Sequence, residues 1–292
     1  MTSDRLDTLS TYRHLRLAMA LLLGLLLVAV ALRALSAPGV CFEGSISAYY
    51  FTSARAVFVT ALCALGTCLI VYRGNTDAED IALNASGALA FVVAFVPTGA
   101  PNTTGVTCSA SNVPSPGQLE DAVNNNMVAL IVVSVAALVV AITLVARSTR
   151  LGKAPLRALV AFAVIFGVGT ASFARWPAGF RANAHTTAAI GTFLGILAVV
   201  GLNALGAERA REGGASPVRY RNAYGVIALA MLASAVIIGA AHWRVSGWRH
   251  GVLLIEATLL VEFMVFWLVQ TVELWHRTRR EAPVVLTPSQ AT

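Results

Sequence analysis

The chain has 292 residues, of which 57% are hydrophobic and only 12% charged, with a net charge of +7 and a mean hydropathy of +0.74. Soluble domains carry about 25% charged residues, so this composition excludes an ordinary soluble fold and points to an all-α membrane protein. The basic pI near 9.7 follows from arginines that flank apolar runs and face anionic headgroups, and gives no reason to expect a nucleic-acid partner.

A membrane helix needs roughly 20 mainly apolar residues. Runs of this kind predict a bundle of eight transmembrane helices, at about residues 17–35, 54–72, 81–96, 127–146, 156–174, 186–205, 224–241 and 251–275. The first run has a rival reading as a signal peptide, because Arg13 and Arg16 precede an apolar stretch ending in Ala34-Leu-Ser-Ala37. It is longer than the 7–15 residues typical of a signal core, so a retained helix is expected; cleavage would leave seven spans. Polar Asn84 and Ser86 interrupt the third run, and Gly167, Gly169 and Thr170 soften the fifth.

Eight spans place 15 of the 21 basic residues on one side, among them Arg5, Arg13, Arg16, Arg73, Arg277 and Arg280. The positive-inside rule makes that side cytoplasmic, with both termini inside. Residues 1–275 then form one transmembrane bundle, residues 36–53 and 98–126 form outer loops, and the polar tail 276–292 is expected to be disordered in the cytoplasm. The Ala/Arg/Gly-rich composition suggests a bacterial plasma membrane.

Cys41 and Cys108 fall in the two outer loops, where an oxidising exterior permits a disulfide, while Cys63 and Cys68 lie inside the second span. No Cys/His spacing of the metal-binding kind occurs, and no cofactor is expected. Gly191-xxx-Gly195 in the sixth span and Ala64-xxx-Cys68 in the second predict close helix packing within the bundle.

The first outer loop gathers Glu43, Ser45, Ser47, Tyr49, Tyr50 and Arg55 in a short stretch leading into the second span. Ser53 suits a helix N-cap, and the aromatic residues suit an interfacial belt; the same residues also suit a pocket rim, with Arg55 binding an anionic headgroup or pairing with Glu43. His185 opens the sixth span, His242 closes the seventh and His250 precedes the eighth. Glu256 lies roughly 9 Å inside the eighth span at 1.5 Å per residue. Arg55, His185, His242 and Glu256 would form one outer cluster if their spans adjoin.

Two carboxylates inside one span are unusual, since each costs a few kcal/mol at membrane depth and normally faces protein or a wet cavity. On an ideal helix Glu256 aligns with Gln270, whereas Glu262 aligns with Thr258 and Glu273. Two polar seams are therefore predicted, with Glu262 and Gln270 as candidates for proton coupling or for locking helices together. Asp77, Glu79 and Asp80 precede the third span, where acidic residues suit the positive end of a helix. Asn102-Thr-Thr104 matches a glycosylation sequon, with little use in a bacterium. No phosphate-binding glycine loop, nucleophile elbow or HExxH motif marks an enzyme.

The stretches Ser45-Ile-Ser-Ala-Tyr-Tyr-Phe-Thr-Ser-Ala-Arg55-Ala-Val-Phe, Tyr72-Arg-Gly and Phe266-Trp-Leu-Val-Gln-Thr-Val-Glu-Leu-Trp275 resemble those of actinobacterial integral membrane proteins. Ile46-Ser47, Arg55 and His185 also resemble positions in the DRAM-like membrane proteins. The CREST membrane hydrolases share the Ser and His repertoire, but Ser47 is followed four residues later by Phe51 rather than His, and the last span lacks paired histidines. These features favour an outward polar pocket that binds membrane lipid or another amphiphile in envelope lipid organisation. A proton-coupled small-molecule transporter using Glu262 and a metal-dependent lipid hydrolase are the alternatives.

Overall fold

The computed structural model describes residues 3–37, 40–99, 114–147, 153–212 and 218–280. The described residues form eight α-helices and one short 3₁₀ helix, with no strand. The α-helices are α1 (Ser3–Ser36), α2 (Arg55–Val71), α3 (Asp77–Phe95), α4 (Pro116–Arg147), α5 (Lys153–Arg175), α6 (Pro177–Glu212), α7 (Val218–Arg244) and α8 (Gly251–Glu273). The 3₁₀ helix, Ser47–Phe51, precedes α2.

Six of these helices, α1, α3, α4, α6, α7 and α8, are long and apolar enough to cross a membrane. α2 and the apolar part of α5, Leu159–Arg175, are shorter apolar helices. α3 and α4 begin before their hydrophobic runs, each with a capping side chain at its start. α4 starts at Pro116 rather than near residue 127, taking in residues that hydropathy assigns to the outer loop. Ser115 Oγ accepts from the Gln118 amide at 3.3 Å and Gln118 Oε1 accepts from the Ser115 amide at 2.9 Å. This is a reciprocal capping box, with Pro116 at the first helical position.

Six helices close into a ring in the order α1, α2, α3, α6, α7, α8 and back to α1, while α4 and α5 pack outside it against α3 and each other. Small residues permit the tight crossings. A methyl group on Gly87 would lie 2.6 Å from the Gly66 carbonyl oxygen, and one on Gly66 would lie 2.7 Å from the Gly87 carbonyl. α2 and α3 therefore touch backbone to backbone. Gly191 and Gly195 do the same work between α6 and α3, where added methyl groups would strike Leu89 and Ser86. The expected sixth-span packing motif thus acts inside the bundle.

The start of α1 and the end of α8 lie at the same end of the ring, since Arg16 donates to the carbonyls of Leu274 and Arg277. That end is called the termini end below, and the opposite one the loop end. The middle of the ring is filled by Met19, Leu23, Leu69, Met231, Phe263, Phe266 and Trp267, all fully buried.

Candidate functional site

At the loop end, the connection between α1 and α2 does not lie on the surface. Ile46, Ser47, Tyr49, Tyr50 and Phe51 are all buried, so the chain turns back into the mouth of the ring. A buried loop must satisfy its own backbone groups, and α8 supplies the partners. Glu256 accepts from the Ile46 amide at 2.6 Å and from Ser47 Oγ at 3.3 Å. The Leu253 amide donates to the Gly44 carbonyl at 2.9 Å, and His250 Nδ1 lies 3.2 Å from the Glu43 carbonyl. Ser45 Oγ accepts from the Ala48 amide at 3.0 Å, Tyr49 OH accepts from the Glu43 amide at 3.5 Å, and Thr52 Oγ1 donates to the Tyr49 carbonyl at 2.9 Å. Burial pushes the Tyr49 phenol above its ordinary pKa, which keeps it neutral. Glu256 is thus a clamp, a carboxylate capping the short helix whose first amides point at it.

Arg55, the first residue of α2, donates from Nη2 to Tyr50 OH at 2.7 Å and lies over the Tyr50 ring at 4.3 Å. Among the described residues no carboxylate lies within ion-pair distance of it. It borders an open cleft of about 480 Å³ lined by Tyr50, Ser53, Ala56, Val59, Thr60, Ala94 and Asn126. A cation at the positive end of a helix is in an unfavourable place; both features attract an anion. Within the ring, below the loop, lies a separate cavity of about 50 Å³ bordered by Leu26, Phe58, Ala90, Thr192 and Leu260, with Ser47 and Glu256 at its edge.

The other sequence candidates are distributed. His185 is buried and its Nδ1 lies 2.6 Å from the Val96 carbonyl at the end of α3. His242 packs against Gly251 and faces Trp248 at 6.2 Å between ring centroids. Among the described residues no hydrogen bond or ion pair joins any two of Arg55, His185, His242 and Glu256, and no group of three or more His, Cys, Asp or Glu could hold a metal ion. Glu262 accepts from Ser234 of α7 at 3.1 Å and does not border the central cavity. Cys41 is disulfide-bonded and Cys63 and Cys68 are free thiols; Cys108 lies outside the described residues.

At the termini end a second polar cluster draws on α3, α6, α7 and α8, on Tyr72 and Asn75 between α2 and α3, and on Arg280 beyond α8. Glu79 is 1% exposed; its Oε1 accepts from Asn203 Nδ2 at 2.8 Å and its Oε2 accepts from the Asn75 amide at 2.8 Å. Asn203 Oδ1 in turn accepts from Gln270 Nε2 at 2.9 Å and Arg280 Nη1 at 3.0 Å, while Tyr72 OH donates to Gln270 Oε1 at 3.2 Å. Arg280 grips Glu273 through Nε at 2.8 Å and Nη2 at 2.5 Å, and Tyr224 OH donates to the same carboxylate at 2.6 Å. Burial alone would push the Arg280 guanidinium toward its neutral form, but the Glu273 carboxylate outweighs it and the net direction is upward.

Residues 276–280, which open the stretch expected to be a tail, turn back across this end, where Arg280 meets the Glu273 carboxylate, the Asn203 amide oxygen and the Tyr224 ring. Residues 281–292 lie outside the described residues. Composition gives no warning of this cluster. Arg16 and Glu79 read as juxtamembrane and capping charges, yet both are buried. The one available signal was Gln270, whose side chain joins the face expected of it.

No family model, curated protein or solved structure matches the chain.

Proposed function

We propose that this is a multi-pass protein of a bacterial plasma membrane, with eight crossings and cytoplasmic termini, whose loop-end cleft binds an anionic lipid headgroup or similar amphiphile in envelope lipid organisation. The observation that carries this reading is Arg55. It borders a cleft of about 480 Å³, within the 300–1,000 Å³ usual for ligand sites, and is aimed by Tyr50 rather than by an acidic partner. A guanidinium offers paired donors that match phosphate oxygens. The hydroxyls of Tyr50, Ser53 and Thr60 and the amide of Asn126 supply further polar partners, and Ala56, Val59 and Ala94 supply an apolar wall for the start of an acyl chain. The arginine balance between the two sides supports the orientation, which faces the cleft outward.

Lipid analysis of the protein purified in mild detergent tests the reading. Anionic phospholipid should co-purify with the wild type and be reduced several-fold in Arg55→Ala, with unfolding temperature little changed. Equal lipid content in both proteins would refute it.

A further inference from the structure

The cluster at the termini end plays no part in the cleft, and its occupant is the short segment that follows α8. Arg280 lies beyond the last helix, yet its side chain is 7% exposed and that of Glu273 is 5% exposed. Its guanidinium meets three recognition elements together: the two-pronged Glu273 carboxylate, the Asn203 amide oxygen at 3.0 Å, and the face of Tyr224 at 5.1 Å. A carboxylate fork with an aromatic face is the setting that selects guanidinium over other cations. These three groups come from α8, α6 and α7, and each has a second anchor within the ring. Tyr224 holds Glu273, while Glu79 and Gln270 hold Asn203. The socket is therefore organised without the segment that fills it.

That segment, residues 274–280, is a strap of turns and bends rather than helix. It is pinned through backbone atoms, by the buried Leu274 side chain and by Arg13, which lies over the Trp275 ring at 4.8 Å. Arg16 donates to the carbonyls of Leu274 and Arg277, Arg13 donates to the carbonyl of Trp275, and the Arg280 amide donates to Asn75 Oδ1. Lifting the strap from Arg277 onward leaves the Arg16 bond to the Leu274 carbonyl and the buried Leu274 side chain in place. Lifting Arg280 would take from Glu273 the two donors of its bidentate pair, the strongest of its contacts, and weakening the pairing of a buried carboxylate is disfavoured. Release is thus favoured by entry of another cation of the same shape.

We propose that Arg280 is a tethered ligand: Glu273, Asn203 and Tyr224 form a guanidinium-binding site at the termini end, filled in cis by the strap and open to a free guanidinium compound when the strap lifts. The site is independent of the lipid cleft. Methylguanidinium is the probe, titrated by calorimetry into full-length wild type, Arg280→Ala and Arg280→Ala/Glu273→Gln in detergent. Apparent affinity scales with the fraction of molecules whose site is free, so Arg280→Ala should bind at least about tenfold more tightly than wild type, and the double variant should not bind. Hydrogen exchange on the unaltered protein gives a second measurement that needs no variant to fold. Saturating methylguanidinium should speed exchange of the Arg280 amide, and tetramethylammonium, which has no N–H donors, should not. Affinity in folded Arg280→Ala no greater than in wild type, equal effects of the two cations, or an Arg280 amide unmoved by methylguanidinium would each overturn the proposal.

Discussion

Replacing Glu256 with alanine should loosen the whole loop end. The carboxylate serves the Ile46 amide at 2.6 Å and Ser47 Oγ at 3.3 Å, on residues that are 3% and 6% exposed. Hydrogen bonds to charged groups contribute about 1.5–3 kcal/mol, and a buried donor left without a partner costs about 1–3 kcal/mol. The adjoining cavity of about 50 Å³ would gain the volume of the lost side chain, so a water molecule could take over part of the bonding. The net loss is then about 2–3 kcal/mol, less than the sum of the two bonds. Glu256→Gln keeps an acceptor for the Ile46 amide and should lose only about 1 kcal/mol. For chains of roughly this size about 1 kcal/mol moves the unfolding temperature by 2–4 °C, so thermal unfolding in detergent separates the two variants. Chymotrypsin gives an independent readout, because Tyr49, Tyr50 and Phe51 are buried and should become cleavable in Glu256→Ala. The clamp is refuted if the alanine variant unfolds within about 1 °C of wild type and its cutting pattern is unchanged.

The α2–α3 crossing should be equally intolerant of a single methyl group. In Gly87→Ala the new carbon would sit 2.6 Å from the Gly66 carbonyl oxygen, which is backbone and has little freedom to move. The helices must separate, at about 1–3 kcal/mol for an overpacked contact, measured as a lower denaturation midpoint; an unchanged midpoint would mean that the crossing is loose. For the cysteines, Cys41 is disulfide-bonded and Cys63 and Cys68 are free, so peptide mapping without reductant should recover a Cys41–Cys108 cross-linked peptide. Recovery of Cys108 as an alkylated free thiol would refute that pairing.

Much of α8 was legible from helical periodicity. Glu256 and Gln270 fall on one face and meet the loop and α6 respectively, while Glu262 and Glu273 fall on the other and both meet α7 through Ser234 and Tyr224. Periodicity assigns faces within a helix, and two polar seams follow from it. It carries no information on which helix a face will meet. Glu79 and Asn203 are 124 positions apart, and Arg16 and Leu274 are 258 apart, so their pairing depends on the closure of the ring. The loop from Cys41 to Arg55 was ambiguous for a different reason. Its hydroxyls and tyrosines fit a surface belt as well as they fit a buried plug, and only the partnership with α8 separates the two. Residues 276–280 were read as tail because a polar, Pro-containing stretch has the composition of disorder, whereas the Arg280–Glu273 pair forms alongside bonds of Arg16, Arg13 and Asn75 to the strap that depend on long-range closure.

The cleft at Arg55 depends on groups that do not line it. On one side Tyr50 positions the guanidinium, and Tyr50 is held by a loop that Glu256 clamps to α8. On the other side Asn126 forms part of the wall, next to Met127 in a small apolar cluster with Val96, Val123 and Phe180. His185 bonds the Val96 carbonyl and so ties the end of α3 to α6 where this cluster sits. Much of the rest of α4 is exposed, with Val132, Val133 and Leu144 all more than 60% accessible, as suits a lipid-facing surface. α4 is therefore anchored to the bundle at the level of the cleft and only lightly elsewhere. Glu256 and His185 would then act on ligand binding by holding the two walls, without any contact between them, which accounts for polar residues on distant spans at the loop end that never converge into one cluster.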